Sequence, residues 1–94
     1  MKLPQTLDLL GKAWVITQKK DNKNYGTCQH GKCIINVNPS QPPQQMRDTV
    51  LHEVIHALEH EVQLKMSERQ VTLLATVLLA AMRQNPKLSA FLLS

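Results

Sequence analysis

Two histidines four residues apart, the first followed directly by a glutamate, constrain this 94-residue chain more than any other feature: His52-Glu53-Val54-Ile55-His56. The spacing acquires meaning on a helix. Residues four apart lie about 40° apart around a helix axis and about 6 Å apart along it. Imidazoles at 52 and 56 can then reach one metal ion. Glu53 projects close to the same face, where it can take a proton from a water on that ion. The pattern predicts a metal-holding helix and, with it, hydrolytic chemistry.

The flanking residues supply the helix with a core face. With Leu51 at 0° and an advance of about 100° per residue, Leu51, Val54, Ile55, Leu58 and Val62 fall within about 60° of one another's centre line. His52 and His56 lie at about 100° and 140°, and Glu53 near 200°. The expectation is an apolar stripe on the core and a ligand face turned away from it. Histidines serving only as core packing would share the stripe.

Catalytic zinc sites usually have three protein ligands and one open position. His60 continues the four-residue spacing, but a metal between His52 and His56 sits level with residue 54. His60 then lies about 9 Å further along the axis, against zinc–nitrogen bonds of about 2.0–2.1 Å. It is read as a rim residue near a substrate, or as a surface histidine. The third ligand is expected from the next element. Ser67-Glu68-Arg69-Gln70 has capping-box form and starts a helix running from about Glu68 to about Arg83. A short link folds this helix back on the first, bringing Glu68 over the histidine face. Glu59 and Glu61 are weaker candidates, because they share a helix with the histidines.

The stretch Thr49-Val50-Leu51-His52-Glu53-Val54-Ile55-His56-Ala57-Leu58, with Ser67-Glu68-Arg69-Gln70-Val71-Thr72-Leu73-Leu74-Ala75, resembles the gluzincin type of zincin. More narrowly, it is similar to the minimal phage and mobile-element metallopeptidases, the minigluzincins related to ImmA/IrrE proteins. The resemblance covers roughly residues 45–85. It implies zinc, proteolysis, often a regulatory protein target, and a ligating glutamate opening the second helix, which Glu68 matches. The glutamate in that family is followed by a pattern like E-x-x-A-N-x-F-A. Here Val71 stands at the alanine, Thr72 at the asparagine, Leu74 at the aromatic and Ala75 at the final alanine, and with the departure at Thr72 no role is carried over to that residue. Tyr25 to Pro39 is similar to the strand pair that such proteins place before the helix.

The remaining chain fits one small α+β domain, a zincin-like fold with a short sheet or hairpin preceding the two helices. A bound metal or self-association would help so small a core. Gln5 to Gly11 is read as a short helix closed by Gly11, and Ala13 to Thr17 as a strand. Tyr25–Cys28 and Lys32–Val37 flank a glycine-bearing turn, as a hairpin. Prolines at 39, 42 and 43 end the strand and lead into the motif helix, expected to start around Gln44–Arg47. A last short helix, Leu88 to Leu93, is apolar enough to pack on the body or on a second copy, giving a homodimer through the C-terminal helix. Zincin substrates add as a strand to a sheet edge beside the motif helix. The expected edge is Ile34, Ile35, Asn36 and Val37, with Tyr25 and His60 as further substrate contacts.

The expected chemistry is peptide hydrolysis with one zinc ion held by His52, His56 and Glu68, and with Glu53 as general base. The implied partner is a protein or peptide substrate. Tyr25, His30 and His60 are candidate donors to the oxyanion. The alternative is a catalytically weak zinc-bearing binding or regulatory module of phage or mobile-element origin. Cys28 and Cys33 flank His30, which admits a weak structural-zinc reading or a cross-hairpin disulfide. No signal peptide is visible, so reduced thiols and a cytoplasmic location are the default. Val71 to Met82 is too short to span a bilayer. The net charge of +4 and the cluster Lys19, Lys20, Lys23 allow a basic patch. One tryptophan, one tyrosine and one phenylalanine give little to stack bases on, so nucleic-acid binding is a minor third reading.

Overall fold

The computed structural model describes residues 2–94. The chain opens with an antiparallel hairpin, β1 (Thr6–Leu9) and β2 (Lys12–Gln18), where a helix was expected. Leu7 and Leu9 alternate with polar residues, a period of two that suits a half-buried strand. Leu10 (φ 56°) and Gly11 (φ 84°) are both left-handed and form the two-residue turn. The Gly11 N–H donates to Asp8 Oδ1 at 2.8 Å. Gly11 thus closes a hairpin rather than a helix; its positive φ serves either ending.

A second hairpin follows as expected, β3 (Gly26–Gln29) and β4 (Ile34–Val37). It joins the first through β4, which runs parallel to β2 with Ile16 beside Ile35. The sheet order is therefore β1-β2-β4-β3. The expectation that Ile34–Val37 forms the open edge is corrected: β4 is paired on both sides, so its main chain is committed to β2 and β3. The edge strand on that side is β3.

One face of the sheet carries Trp14, Ile16, Ile35 and Val37, all buried under helix α1 (Pro43–Glu61). Proline at the first position suits a helix start, where the missing N–H is not needed. Met46, Val50, Val54 and Ala57 pack on the sheet. The fully buried line along α1 is Thr49, Glu53 and Ala57. This revises the expected stripe. Of its five residues only Val54 joins the sheet core, and Val62 is exposed. The physical reason is that α1 is flanked by the sheet and by a second helix, so its burial is divided between two directions. At its closest approach to β3 only small or slender residues fit.

Helix α2 (Glu68–Gln84) folds back against α1, burying Val71 and Ala75. Its capping box is complete: Ser67 Oγ accepts the Gln70 N–H at 3.1 Å, and Gln70 Oε1 accepts the Ser67 N–H at 2.8 Å. After Asn85 the chain turns into α3 (Pro86–Leu92), which rests on α2 through Ser89 Oγ donating to the Met82 carbonyl at 2.9 Å. The result, among the described residues, is an α+β fold with a four-stranded mixed sheet and three helices. Among the described residues no helix is long and apolar enough to cross a membrane.

Candidate metal centre

His52 and His56 leave α1 one turn apart, on the side that faces the start of α2. Their Nε2 atoms are 3.1 Å apart. Glu68, the first residue of α2, lays its carboxylate across both. Oε1 is 2.5 Å from His52 Nε2, and Oε2 is 3.1 Å from His56 Nε2. The capping box fixes where α2 begins and therefore where this carboxylate stands. Among the described residues, His52, His56 and Glu68 are the one group of three such side chains whose donor atoms all lie within 4.8 Å of one another. Two imidazole nitrogens and a carboxylate oxygen are a donor set that could hold a metal ion.

The tautomer of His56 is held from behind. Its Nδ1 is 2.6 Å from Glu59 Oε1, and Glu59 Oε2 accepts the backbone N–H of Met66 at 2.8 Å. A carboxylate on Nδ1 assigns the proton to that nitrogen and leaves the Nε2 lone pair facing His52 and Glu68. Burial disfavours a charged His56, but the charged ring, with a proton on each nitrogen, donates to both Glu59 and Glu68, and this outweighs burial and raises its pKa above the ordinary histidine value. The Met66 N–H, working against burial, holds Glu59 below the usual carboxylate range. Glu59 is thus an orienting residue. A carboxylate three residues after a helical histidine, on the same face, is the signal that would have found it. Glu61 turns away and pairs with Lys12 Nζ at 3.2 Å.

Glu53 points differently from its neighbours. It is buried against β3, where an added Cβ on Gly26 would stand 3.2 Å from Glu53 Cγ and 2.6 Å from Thr49 Cγ2. Burial pushes its pKa upward, against the pull of His52 and His56. Its carboxyl lines the groove that His52 and Glu68 also line.

Two open grooves meet at this centre. One, of about 480 Å³, is lined by Tyr25, Gly26, His52, Glu53, Glu68 and Thr72, among others. The other, of about 530 Å³, is lined by His30, His56, Glu59, His60 and Lys65, among others. Tyr25 and Gly26, at the start of β3, line the first, and His30, just after its end, lines the second. Residues Ile34–Val37 line neither groove, and Ile35 and Val37 are core. His60 does not join the donor group; its ring stacks on His30 with centroids 4.2 Å apart. Tyr25 stands at the first groove with its side chain largely exposed.

Two further features support the edge strand. Gln41 Nε2 donates to the carbonyls of Tyr25 (3.1 Å) and Asn38 (2.8 Å), while Gln41 Oε1 accepts from Thr49 Oγ1 at 2.8 Å. This buried amide ties the start of β3 to α1. Cys28 and Cys33 are free thiols that pack on the core, and burial pushes Cys28 up to about 12. They belong to no group of three donors among the described residues.

The chain matches no family model, no curated protein and no solved structure.

Proposed function

We propose that this protein is a zinc-dependent metallopeptidase of zincin-like fold, acting on extended protein or peptide segments. The observation that carries the reading is the joint placement of Glu53 and the donor group. A buried carboxyl with a raised pKa lines the same groove as His52 and Glu68 of the donor group, next to a sheet edge. A purely structural metal site has no use for a proton acceptor and is normally closed by a fourth protein ligand. The resemblance of the motif-bearing segments to minigluzincins points the same way.

The donor set fits zinc. His52, His56 and Glu68 supply nitrogen and oxygen ligands of the right softness and number for a catalytic centre with one position left over. When bound there, zinc supplies Lewis acidity, which makes a water nucleophilic near neutral pH and polarises the scissile carbonyl. The chain's own residues do the rest. Glu59 keeps His56 in the tautomer that presents Nε2. Glu53 accepts the proton of the attacking water at its carboxylate and returns it to the leaving amine. The free side of β3 offers main-chain groups to an extended substrate, which would cross from the Tyr25 groove to the His30–His60 groove. Tyr25, which lines the first groove, is the candidate donor to the developing oxyanion.

Elemental analysis of purified protein, followed by proteome-wide cleavage profiling of the wild type against Glu53→Gln, tests the proposal. The expected result is about one zinc per chain in both proteins and cleavage by the wild type alone. Zinc without cleavage in the wild type would favour the binding-module alternative.

A further inference from the structure

Helix α2 has a second face that the described residues leave largely exposed. Counting about 100° per residue from Glu68, the groove side of α2 (Glu68, Thr72, Thr76) spans about 0–80°, and the side buried on α1 (Val71, Ala75) lies at about 300–340°. The opposite sector, about 140–280°, carries Leu73, Leu74, Val77, Leu78 and Ala81. The four large residues there are 39–56 % exposed. Phe91 and Leu92 of α3, the helix that rests on α2, are 75 % and 58 % exposed. With Leu88 of α3 and Leu93 just beyond it, both exposed, these side chains come to the order of the ~800 Å² that one partner contributes to a stable interface. Patches of this kind mark interaction sites rather than ordinary surface.

The order of residues along this face indicates the occupant. Val77 is its centre. Leu74 lies three residues before it and Ala80 three after; Leu73 lies four before and Ala81 four after; Gln70 lies seven before and Gln84 seven after. The face therefore alternates large against small about its midpoint and ends in an amide on both sides. A second α2 laid antiparallel, turned about a two-fold axis at Val77, brings Leu73 and Leu74 of one copy level with Ala81 and Ala80 of the other, and Leu78 level with Thr76. That is the size complementarity that close helix packing needs. It also satisfies the self-complementarity a two-fold interface demands, since each position meets its own mirror along the chain. Arg83 and Arg69, at about 60° and 100°, lie off this sector, toward the groove. The α2 cations of the two copies are thereby kept out of the helix-to-helix contact.

We infer that this protein forms an antiparallel homodimer through the Leu73–Ala81 face of α2, with Val77 on the two-fold axis and α3 extending the contact. Both metal centres stay open in this arrangement, because the groove side of α2 points the other way. The inference stands independently of the peptidase reading.

Sedimentation equilibrium of the full chain should give twice the 10.6 kDa chain mass at micromolar concentrations. Val77 is already half exposed, so Val77→Lys should fold with an unchanged circular dichroism spectrum. It should dissociate at least ~100-fold more readily, because an unpaired ammonium would be buried at the axis. Geometry supplies a second test. Under mild oxidation Val77→Cys should cross-link to itself, with wild type as the background for Cys28 and Cys33. Leu73→Cys alone should not, because the two copies of residue 73 are about 12 Å apart along the axis. A wild-type monomer at 100 μM overturns the inference, including one that instead binds phosphatidylserine vesicles. So does a dimer that survives Val77→Lys or fails to cross-link at residue 77.

Discussion

Glu59 holds His56 by its rear nitrogen at 2.6 Å and, with its other oxygen, holds the backbone of Met66 at 2.8 Å. One carboxylate therefore couples a donor on α1 to the segment that delivers Glu68. Replacing Glu59 by Gln should weaken zinc binding by roughly 10–100-fold, the usual cost of losing an orienting partner behind a metal-ligating histidine. Competition with a fluorescent chelator measures this. An affinity unchanged within twofold would remove Glu59 from the site.

Glu53→Gln should retain the metal and lose turnover by roughly 10²–10⁴-fold, the range for removal of a general base. His56→Ala should lose both, because it deletes a donor. Zinc content and peptide cleavage read side by side separate the two effects. A fully active Glu53→Gln protein would end the assignment of Glu53.

Gly26 is constrained by closeness rather than by φ. A methyl group there would stand 2.6 Å from Thr49 Cγ2 and 3.2 Å from the Asn36 carbonyl and Glu53 Cγ. Gly26→Ala should therefore push β3 away from α1 and destabilise the fold by about 1–3 kcal/mol, the scale of overpacking. Urea unfolding checks the stability. Loss of cleavage beyond the unfolded fraction would show that Glu53 is displaced as well.

Burial raises the Cys28 thiol to about 12. The thiolate is the reactive form, so at pH 8 only about one molecule in 10⁴ carries it at this position. Alkylation by iodoacetamide at Cys28 should be slow at pH 8 and should accelerate as pH rises toward 12. Peptide mapping after timed alkylation follows the site. The same shift favours the folded state below the thiol's ordinary pKa of 9.0, and that contribution should fade as pH climbs through about 12. Rapid labelling at pH 8 would show that Cys28 is open to solvent.

The local parts of the fold were legible in the residues. The four-residue histidine spacing specified a helix, the Ser67–Gln70 box specified where the next one begins, and Gly31 lay in the turn of a hairpin. Glu68 followed because helix rise excluded His60 and a cap placed the carboxylate. What was misread depends on partners far away in sequence. Thr6–Leu9 is a strand because β2 is there to pair with, and four residues carry too short a period to announce it. The choice of β3 over β4 as the edge is made by β2, which takes the other side of β4. The burial line along α1 passes through Thr49, Glu53 and Ala57 because two surfaces compete for that helix, and a stripe of large apolar residues records only one of them.

Only eleven positions separate His56 from Glu68, and the cap at Ser67 sets the phase of everything after it. One residue inserted into the first turn of α2 would swing the carboxylate by about 100° and carry it off the histidines. The stretch from Val62 to Met66 should therefore accept many changes of identity and almost none of length. Among sequences sharing this architecture, a conserved count of residues there would be a sharper mark of a working centre than any conserved letter within it.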